Sequence, residues 1–429
     1  METYVYIDNF RGFVDTIIPI RQVNFLVGEN STGKTSFLEL IEALSNMSFW
    51  LFEPRYGIPG AQQRHFLNLV SASSSSKQTF TVGALEVEDD GTPTIGMLVT
   101  YKNLDGRPDP NRVTVIQGTS IRTIAGSFWQ SRKKEKYKSR VRKFHPTESA
   151  TTETNVRRLI SAHKSSTAFE ESKVSKEREN LPLFMRFCEE LFDCKDLRER
   201  SAKAPYPFMS NFVDLAPIRT KPRRTYDAPQ TEFSREGEHT PYVIKKRLSS
   251  KTQAVAFQKF LEQAGQSSGL FKSIQIKSYG REQHAPFEIK IVLGTTALDL
   301  GSVGYGVSQA LPILVEMFVR PPQTAFTIQQ PEVHLHPKAQ ATFGDLIAEL
   351  ARSDKKKFFV ETHSDFTIDR FRMNVRNHGD LPSQLLFFER TGGGNKVTVI
   401  PILDNGDIGT NQPDAYRLFF YNESLALLS

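Results

Sequence analysis

Cysteine is nearly absent from this sequence: Cys188 and Cys194 are the only two in 429 residues. They match no zinc-ligand spacing and cannot build a disulfide framework. They are read as inert thiols in or beside a helix, and a reducing, cytoplasmic setting is expected. Long apolar runs are missing as well. No stretch nears the ~20 residues that a membrane span needs, and the opening METYVYIDNFRGF lacks a signal peptide's apolar block, so no membrane partner is expected. No internal repeat of fixed period occurs, and without sustained heptads any coiled coil must be short. Nor is there an acidic excess. The net charge of +7 and pI near 9.2 permit nucleic-acid contact without establishing it. What remains is an ordinary globular composition, 38% hydrophobic and 24% charged, with room for about two or three domain-sized units.

The first residues read strand, turn, strand, loop, helix: TYVYI, DTIIPI and NFLVG are strands, and SFLELIEALSNM has helical periodicity. Residues 79–118 predict an antiparallel meander with turns at Asp90-Gly91 and Asp105-Gly106. The character changes over 125–205. SRKKEKYKSRVRK (131–143) sets eight Lys/Arg against one Glu, and LPLFMRFCEELFDCKDLRER has helical periodicity, so this stretch is expected to stand outside the sheet as a helical arm. Core-like sequence returns at 211–229, followed by a helix (AVAFQKFLEQAG) and strands (FKSIQIKSY, FEIKIVLG). The last 130 or so residues alternate strands with helices, which implies a mostly parallel sheet covered by helices.

Between the third strand and its helix stands Gly28-Glu29-Asn30-Ser31-Thr32-Gly33-Lys34-Thr35-Ser36, the pattern of a phosphate-binding loop in the right context. Glycines let successive backbone N–H groups converge on phosphate oxygens, and the helix N-terminus adds favourable partial charge. Lys34 is expected to reach the β- and γ-phosphates of ATP, and the Thr35 hydroxyl to bind Mg²⁺.

Three further blocks lie near the C-terminus. Gly304-Tyr-Gly306-Val-Ser308-Gln309 precedes a helix for which Ser308 is expected to be the N-cap. Ala325–Ile328 is a buried strand ending at Gln329-Gln330-Pro331-Glu332-Val-His334-Leu-His336-Pro337, and Phe358–Ser364 is another, ending at His363. The phrases NFRGF, GENSTGKTS, DLAPIRTKPRRTY, GYGVSQALPILVE, QQPEVHLHP and VETHSDF together resemble the OLD/RecF-like branch of ABC ATPases, which shares its head plan with Rad50 and SMC proteins. The likeness covers roughly residues 1–45 and 210–390. It implies an α/β ABC-type ATPase head, a P-loop parallel sheet plus an antiparallel β subdomain, with a basic, mainly helical insertion. The expected division is 1–124 and 210–429 for the head and 125–209 for the insertion. The resemblance further implies that Gly304, Gly306, Ser308 and Gln309 face the nucleotide of an opposite protomer, and that His363 senses the γ-phosphate.

The chain departs from that pattern at one place. Relatives carry Glu-Glu or Glu-Gln where this sequence has Gln329-Gln330; the first acid orients Mg²⁺ through water and the second polarises the attacking water. An amide does neither at neutral pH, so ATP binding with slow hydrolysis is expected. Either an introduced Glu→Gln change, most plausibly at Gln329 and the favoured explanation, or a naturally slow head accounts for it. Glu332 is expected to orient a dimer interface, and His334 and His336 are read against metal binding. One of Arg219, Arg223 and Arg224 is expected near the nucleotide or an interface, and Gln62, Gln63 or Gln78 is the Q-loop residue. The basic run 131–143 is a candidate nucleic-acid contact, weighed against a protein partner or plain solvation.

About 65 residues follow His363, too few for the TOPRIM nuclease domain of OLD proteins. The resemblance therefore implies a homo-oligomeric sensor ATPase like those of the PARIS and Septu anti-phage systems, acting on a separate nuclease or toxin. The rivals are a DNA-repair ATPase of RecF/Rad50 type and a non-hydrolysing scaffold held by ATP.

Overall fold

In the computed structural model the described residues are 1–46, 66–72, 77–126, 136–147, 150–173, 211–280 and 285–410, with a few single residues besides. The chain opens with β1 (Glu2–Asp8), β2 (Thr16–Ile20), β3 (Val23–Gly28) and helix α1 (Lys34–Ser45). Then come β4 (Thr79–Val87), β5 (Pro93–Leu104), β6 (Arg107–Gln117), β7 (Ser120–Gly126), β8 (Lys136–Lys143), α2 (Thr152–Lys164) and β9 (Glu170–Lys173). The chain divides into two units, one of Met1–Arg21, Gly28–Ser210 and Phe388–Val399, the other of Gln22–Val27, Asn211–Phe387 and Ile400–Ser429.

The first unit is built on an eight-stranded antiparallel sheet of order β2-β1-β4-β5-β6-β7-β8-β9. The Asp105-Gly106 turn closes β5 on β6 with both residues at positive φ, 50° and 82°, as a two-residue primed hairpin turn requires. Pro108 and Pro110 lie in the part of β6 that precedes Arg112, where pairing with β7 begins, so on that side no ladder donor is lost. Helix α2 starts at Thr151, whose side chain accepts from Thr154 N–H, and it lays Val156, Leu159 and Ile160 on Tyr4, Tyr6, Leu85, Leu98 and Ile116.

The basic run enters this sheet instead of standing off it as a helical arm. Residues 136–143 pair with β7 on one edge and with β9 on the other. Tyr137 is buried, and Arg140 is buried because it has work at the end of α2. Its guanidinium donates to the carbonyls of Ala162, Ser165 and Thr167, and Arg112 donates to those of His163 and Lys164. Cations at a helix C-terminus satisfy orphan carbonyls and oppose the helix dipole. The expected helix in LPLFMRFCEELFDCKDLRER, including Cys188 and Cys194, lies almost wholly outside the described residues, as do 131–135.

The second unit holds β10 (Phe212–Leu215), α3 (Thr240–Leu248), α4 (Ala254–Ser268), β11 (Ser273–Ser278), β12 (Phe287–Leu293), β13 (Thr296–Asp299) and α5 (Tyr305–Val319). It continues through β14 (Ala325–Gln329), α6 (Pro337–Ser353), β15 (Lys357–Glu361) and α7 (Asp365–His378); β16 (Ser383–Thr391) and β17 (Gly394–Ile402) belong to it except for Phe388–Val399. The main sheet has the order β10-β14-β15-β3-β16-β17, with β10, β14, β15 and β3 parallel. The strand–helix alternation read from the sequence is thus a parallel α/β sheet. β11, β12 and β13 form a separate antiparallel sheet. Its Phe287, Ile289 and Ile291 join Phe326, Ile328, Leu311, Phe343 and Phe371 in one apolar core. Among the described residues no helix is long and apolar enough to cross a membrane.

One buried histidine ties the antiparallel sheet to α2. His163 is fully buried, with Nε2 2.9 Å from Thr100 Oγ1 and Nδ1 2.7 Å from Thr114 Oγ1. Those hydroxyls pair in turn with Thr81 and Thr123, each at 2.8 Å. Burial, and then the nearby Arg112, Lys164 and Arg140, push the imidazole down to about 3, so it is neutral in the folded chain. A depressed histidine contributes stability above the unfolded value of 6.5 and loses it as pH falls toward 3. The urea midpoint of the full chain is expected to drop between about pH 6.5 and 4, by up to ~1.4 kcal/mol per pH unit from this group. His163→Gln should flatten that slope, measured by urea titrations at several pH values; an unchanged slope refutes the assignment.

Candidate functional site

The phosphate loop begins in the first unit at Gly28, whose φ is 129°. A Cβ there would lie 2.1 Å from the carbonyl oxygen of Phe388, so both the conformation and the space demand glycine. Gly33, at φ 102°, is the N-cap of α1, and a Cβ on it would meet Asn395 Nδ2 at 2.5 Å and the Phe13 ring at 2.7 Å. Ser31 is also left-handed, at φ 64°. Lys34 is the first residue of α1 and is buried; its Nζ donates to the carbonyls of Gly28 (2.8 Å) and Glu29 (2.7 Å). Thr32 Oγ1 donates to the Glu29 carbonyl at 2.7 Å. Glu29, Asn30, Ser31 and Thr35 are exposed and Ser36 is half-buried. No acidic residue stands in the first turn of α1, so the positive end of the helix is unopposed by its own side chains.

Sequence reasoning missed what supports this loop. The NFRGF phrase is a tight turn in which Phe10 and Phe13 bridge and Arg11 and Gly12 take positive φ. Asn395 holds it, donating from N to the Gly12 carbonyl (2.7 Å) and from Nδ2 to the Arg11 carbonyl (3.2 Å). Arg11 pairs with Glu39 of α1. A cavity of about 460 Å³ beside the loop is lined by Arg11, Ser31, Asn68, Arg390 and Asn395, among others. Of the Q-loop candidates, Gln62 and Gln63 lie outside the described residues; Gln78 precedes β4, its carbonyl accepting from Asn103 N–H at 3.0 Å.

In the second unit the Gly304–Gln309 block starts α5, and one expectation is corrected. The N-cap is Gly304, not Ser308, because the helix begins at Tyr305. Ser308 lies within the first turns, buried, and its hydroxyl donates to the Tyr305 carbonyl at 2.9 Å. A Cβ on Gly304 would meet nothing within 4 Å, whereas one on Gly306 would approach the His334 carbonyl to 2.8 Å. Gln309 is turned inward: its Oε1 accepts from Arg219 N–H (3.3 Å) and its Nε2 donates to the Arg219 carbonyl (3.4 Å). The side chain that the resemblance sends to a nucleotide is thus occupied in placing Arg219.

Arg219, with relative exposure of 3%, is no solvated loop arginine, in contrast to the exposed Arg223 and Arg224. It donates from Nη2 to the Gln329 carbonyl at 3.0 Å, while Nε and Nη1 are buried without a hydrogen-bond partner. Burial lowers its guanidinium to about 10, still charged at neutral pH, and Glu332 opposes that fall. Gln329 ends β14 and is buried; Gln330 follows in a left-handed turn (φ 45°), its N–H on the Glu361 carbonyl at 2.8 Å.

Glu332 joins the loops that follow β14 and β15. Its carboxylate accepts from Thr362 Oγ1 (2.9 Å) and from His363 N–H (2.7 Å), which places the exposed His363. His336 caps α6, its Nδ1 accepting from Lys338 N–H at 3.3 Å, and His334 turns at φ 64°. Gln340 ties the same loops together by donating to the Leu335 carbonyl and accepting from Ser364 Oγ. Asp214 of β10 was overlooked, although an aspartate inside the apolar NFVDL is a signal in itself, since a buried carboxylate must have partners. It accepts from Thr327 and pairs with Arg235; burial nevertheless holds its carboxyl above the usual range.

Comparison with known proteins follows this geometry. A family model described as "AAA domain, putative AbiEii toxin, Type IV TA system" matches residues 23–369. No curated protein matches the chain. Solved structures that match include an SMC head bound to the C-terminal winged-helix domain of ScpA, at 12% identity and a TM-score of 0.45, covering 94% of this chain and 98% of that one. An SMC head domain from Thermotoga maritima matches at 12% identity and a TM-score of 0.38, covering 93% and 98%. An Smc head with an extended coiled coil, bound to the C-terminal domain of ScpA derived from Pyrococcus furiosus, matches at 11% and 0.41, covering 93% and 96%. With most of its length, the phosphate loop included, inside the family model, the chain belongs to the AAA domain family so described.

Proposed function

We propose that this protein binds Mg²⁺–ATP on the Gly28–Ser36 loop and uses it to hold copies of itself together, as the sensing ATPase of a defence complex that controls a separate nuclease or toxin. The observation that carries the reading is the loop itself: Gly28 and Gly33 at positive φ, Lys34 at the head of α1, and a helix N-terminus without acidic residues. Those features form a cradle for phosphate oxygens. Lys34, held by two loop carbonyls, would exchange them for phosphate, and Thr35 would supply a hydroxyl ligand to Mg²⁺. The neighbouring cavity has the size of a small-molecule site and two arginines in its wall. By the family resemblance, the open start of α5 at Gly304 would face the nucleotide of an opposite protomer. The family description, with its toxin of a type IV toxin–antitoxin system, points toward the defence reading as well.

Hydrolysis is slow in this proposal. Neither Gln329 nor Gln330 can take a proton from water, and the Glu332 carboxylate is engaged by Thr362 and His363. The repair reading is weakened by Arg140, whose charge serves the end of α2, so that less of the basic run is available to a nucleic acid.

Lys34→Ala is expected to weaken binding of a fluorescent ATP analogue about 10- to 100-fold, the loss of charge-assisted hydrogen bonds. Unchanged affinity in an anisotropy titration rejects the loop as the site. Gln330→Glu, at the half-exposed turn position, should raise Mg²⁺-dependent phosphate release by roughly 100-fold, the scale of general-base catalysis. No gain would place the slow step elsewhere. The complex is tested by affinity purification with Mg²⁺–ATP from the native operon context. A stoichiometric nuclease or toxin subunit supports the proposal, and a homo-oligomer carrying nucleic acid overturns it in favour of repair.

A further inference from the structure

The end of β14 is gripped from two sides. Asp214 stands opposite Thr327 in the parallel register of β10 and β14, so its carboxylate shares a sheet face with Thr327 and, two residues on, Gln329. It accepts from the Thr327 hydroxyl and is paired with Arg235, and the Gln329 side chain shares its buried face. Asp214 and Gln329 are 4% and 6% exposed, so water offers neither group a substitute partner. On the backbone side, Arg219 Nη2 donates to the Gln329 carbonyl at 3.0 Å, and Arg219 is itself fixed at both N–H and C=O by Gln309 of α5. A chain of contacts therefore runs from the start of α5 through Arg219 to the Gln329 carbonyl.

An amide suits this place and a carboxylate does not. The Gln329 NH₂ can donate on a face where an ionised Asp214 can only accept. Glutamate there would set two buried carboxyl groups against each other, and the pair would have to hold a proton or separate. We propose that Gln329 is the residue this site is built for, a positioning group whose uncharged side chain shares a buried sheet face with Asp214 and whose carbonyl is fixed by Arg219, so that a glutamate at 329 disrupts the end of β14 instead of supplying it with an acid.

The proposal is independent of nucleotide, and so is its test: a double-mutant cycle on the thermal unfolding of the full chain without ATP. Gln329→Glu is expected to lower the midpoint by about 5 °C or more. In an Asp214→Asn background, where an amide faces the new carboxylate, the same substitution should lower it by less than half as much. Equal losses in the two backgrounds, or a Gln329→Glu chain as stable as the natural one, overturn the proposal. Should Asp214→Asn fail to fold, Gln329→Met removes the donor without adding charge. Glutamate must then be costlier than methionine, and a loss no greater than that of methionine overturns the proposal equally. A failed ATP titration leaves the cycle untouched, so the two readings fail separately.

Discussion

A phosphate loop works only if the strand that delivers it is held still, and β3 is held by its place inside a sheet. It lies between β15 and β16, with the parallel ladder of β15 on one edge. Within the apolar VNFLVG, Asn24 is fully buried and serves both neighbours: its Nδ2 donates to the Phe358 carbonyl (3.1 Å) and its Oδ1 accepts from Gln384 Nε2 (2.8 Å). A buried amide left unpaired costs on the order of 1–3 kcal/mol, so this residue helps to specify register instead of merely filling space. The strand then ends where the chain must turn against a neighbouring backbone, and only a residue without Cβ passes under the Phe388 carbonyl.

Much of this was legible in the sequence because its signals are local. The loop pattern spans nine residues, and the strand–helix alternation after 304 can be read from periodicity alone. The Asp105-Gly106 turn was equally plain, since two consecutive positive φ angles favour that dipeptide. What escaped were contacts between residues far apart in the chain. Asn395 pins the NFRGF turn from near the other end of the chain, and nothing near it marks it as part of the site. β8 was hidden by its composition: eight cations in 13 residues suggest a solvated arm, yet Arg140 is buried because α2 needs its last carbonyls capped. Ser308 misled for a different reason. A serine ahead of an apolar run is a fair N-cap signal, but the helix starts at Tyr305, and the signal does not say how many residues precede the run.

The two adjacent glutamines show why composition at a motif does not settle chemistry. Read from sequence, Gln329 and Gln330 are equivalent departures from a pair of acids, and an introduced change at Gln329 explains them well. Their surroundings differ. Gln330 sits half-exposed in a left-handed turn, held through its backbone N–H by the Glu361 carbonyl, with a side chain that a carboxylate could replace at little cost. Gln329 is buried against an aspartate that already carries the charge of that face, paired with Arg235. Buried charge is tolerated when each group has an opposite partner, and a second carboxylate at 329 would find Arg235 already paired with Asp214. Arg219 does not remove the objection, because its one hydrogen bond to this residue is to the backbone carbonyl and its charge is shared with Glu332. The local balance of charge thus favours glutamine at 329 as a native feature.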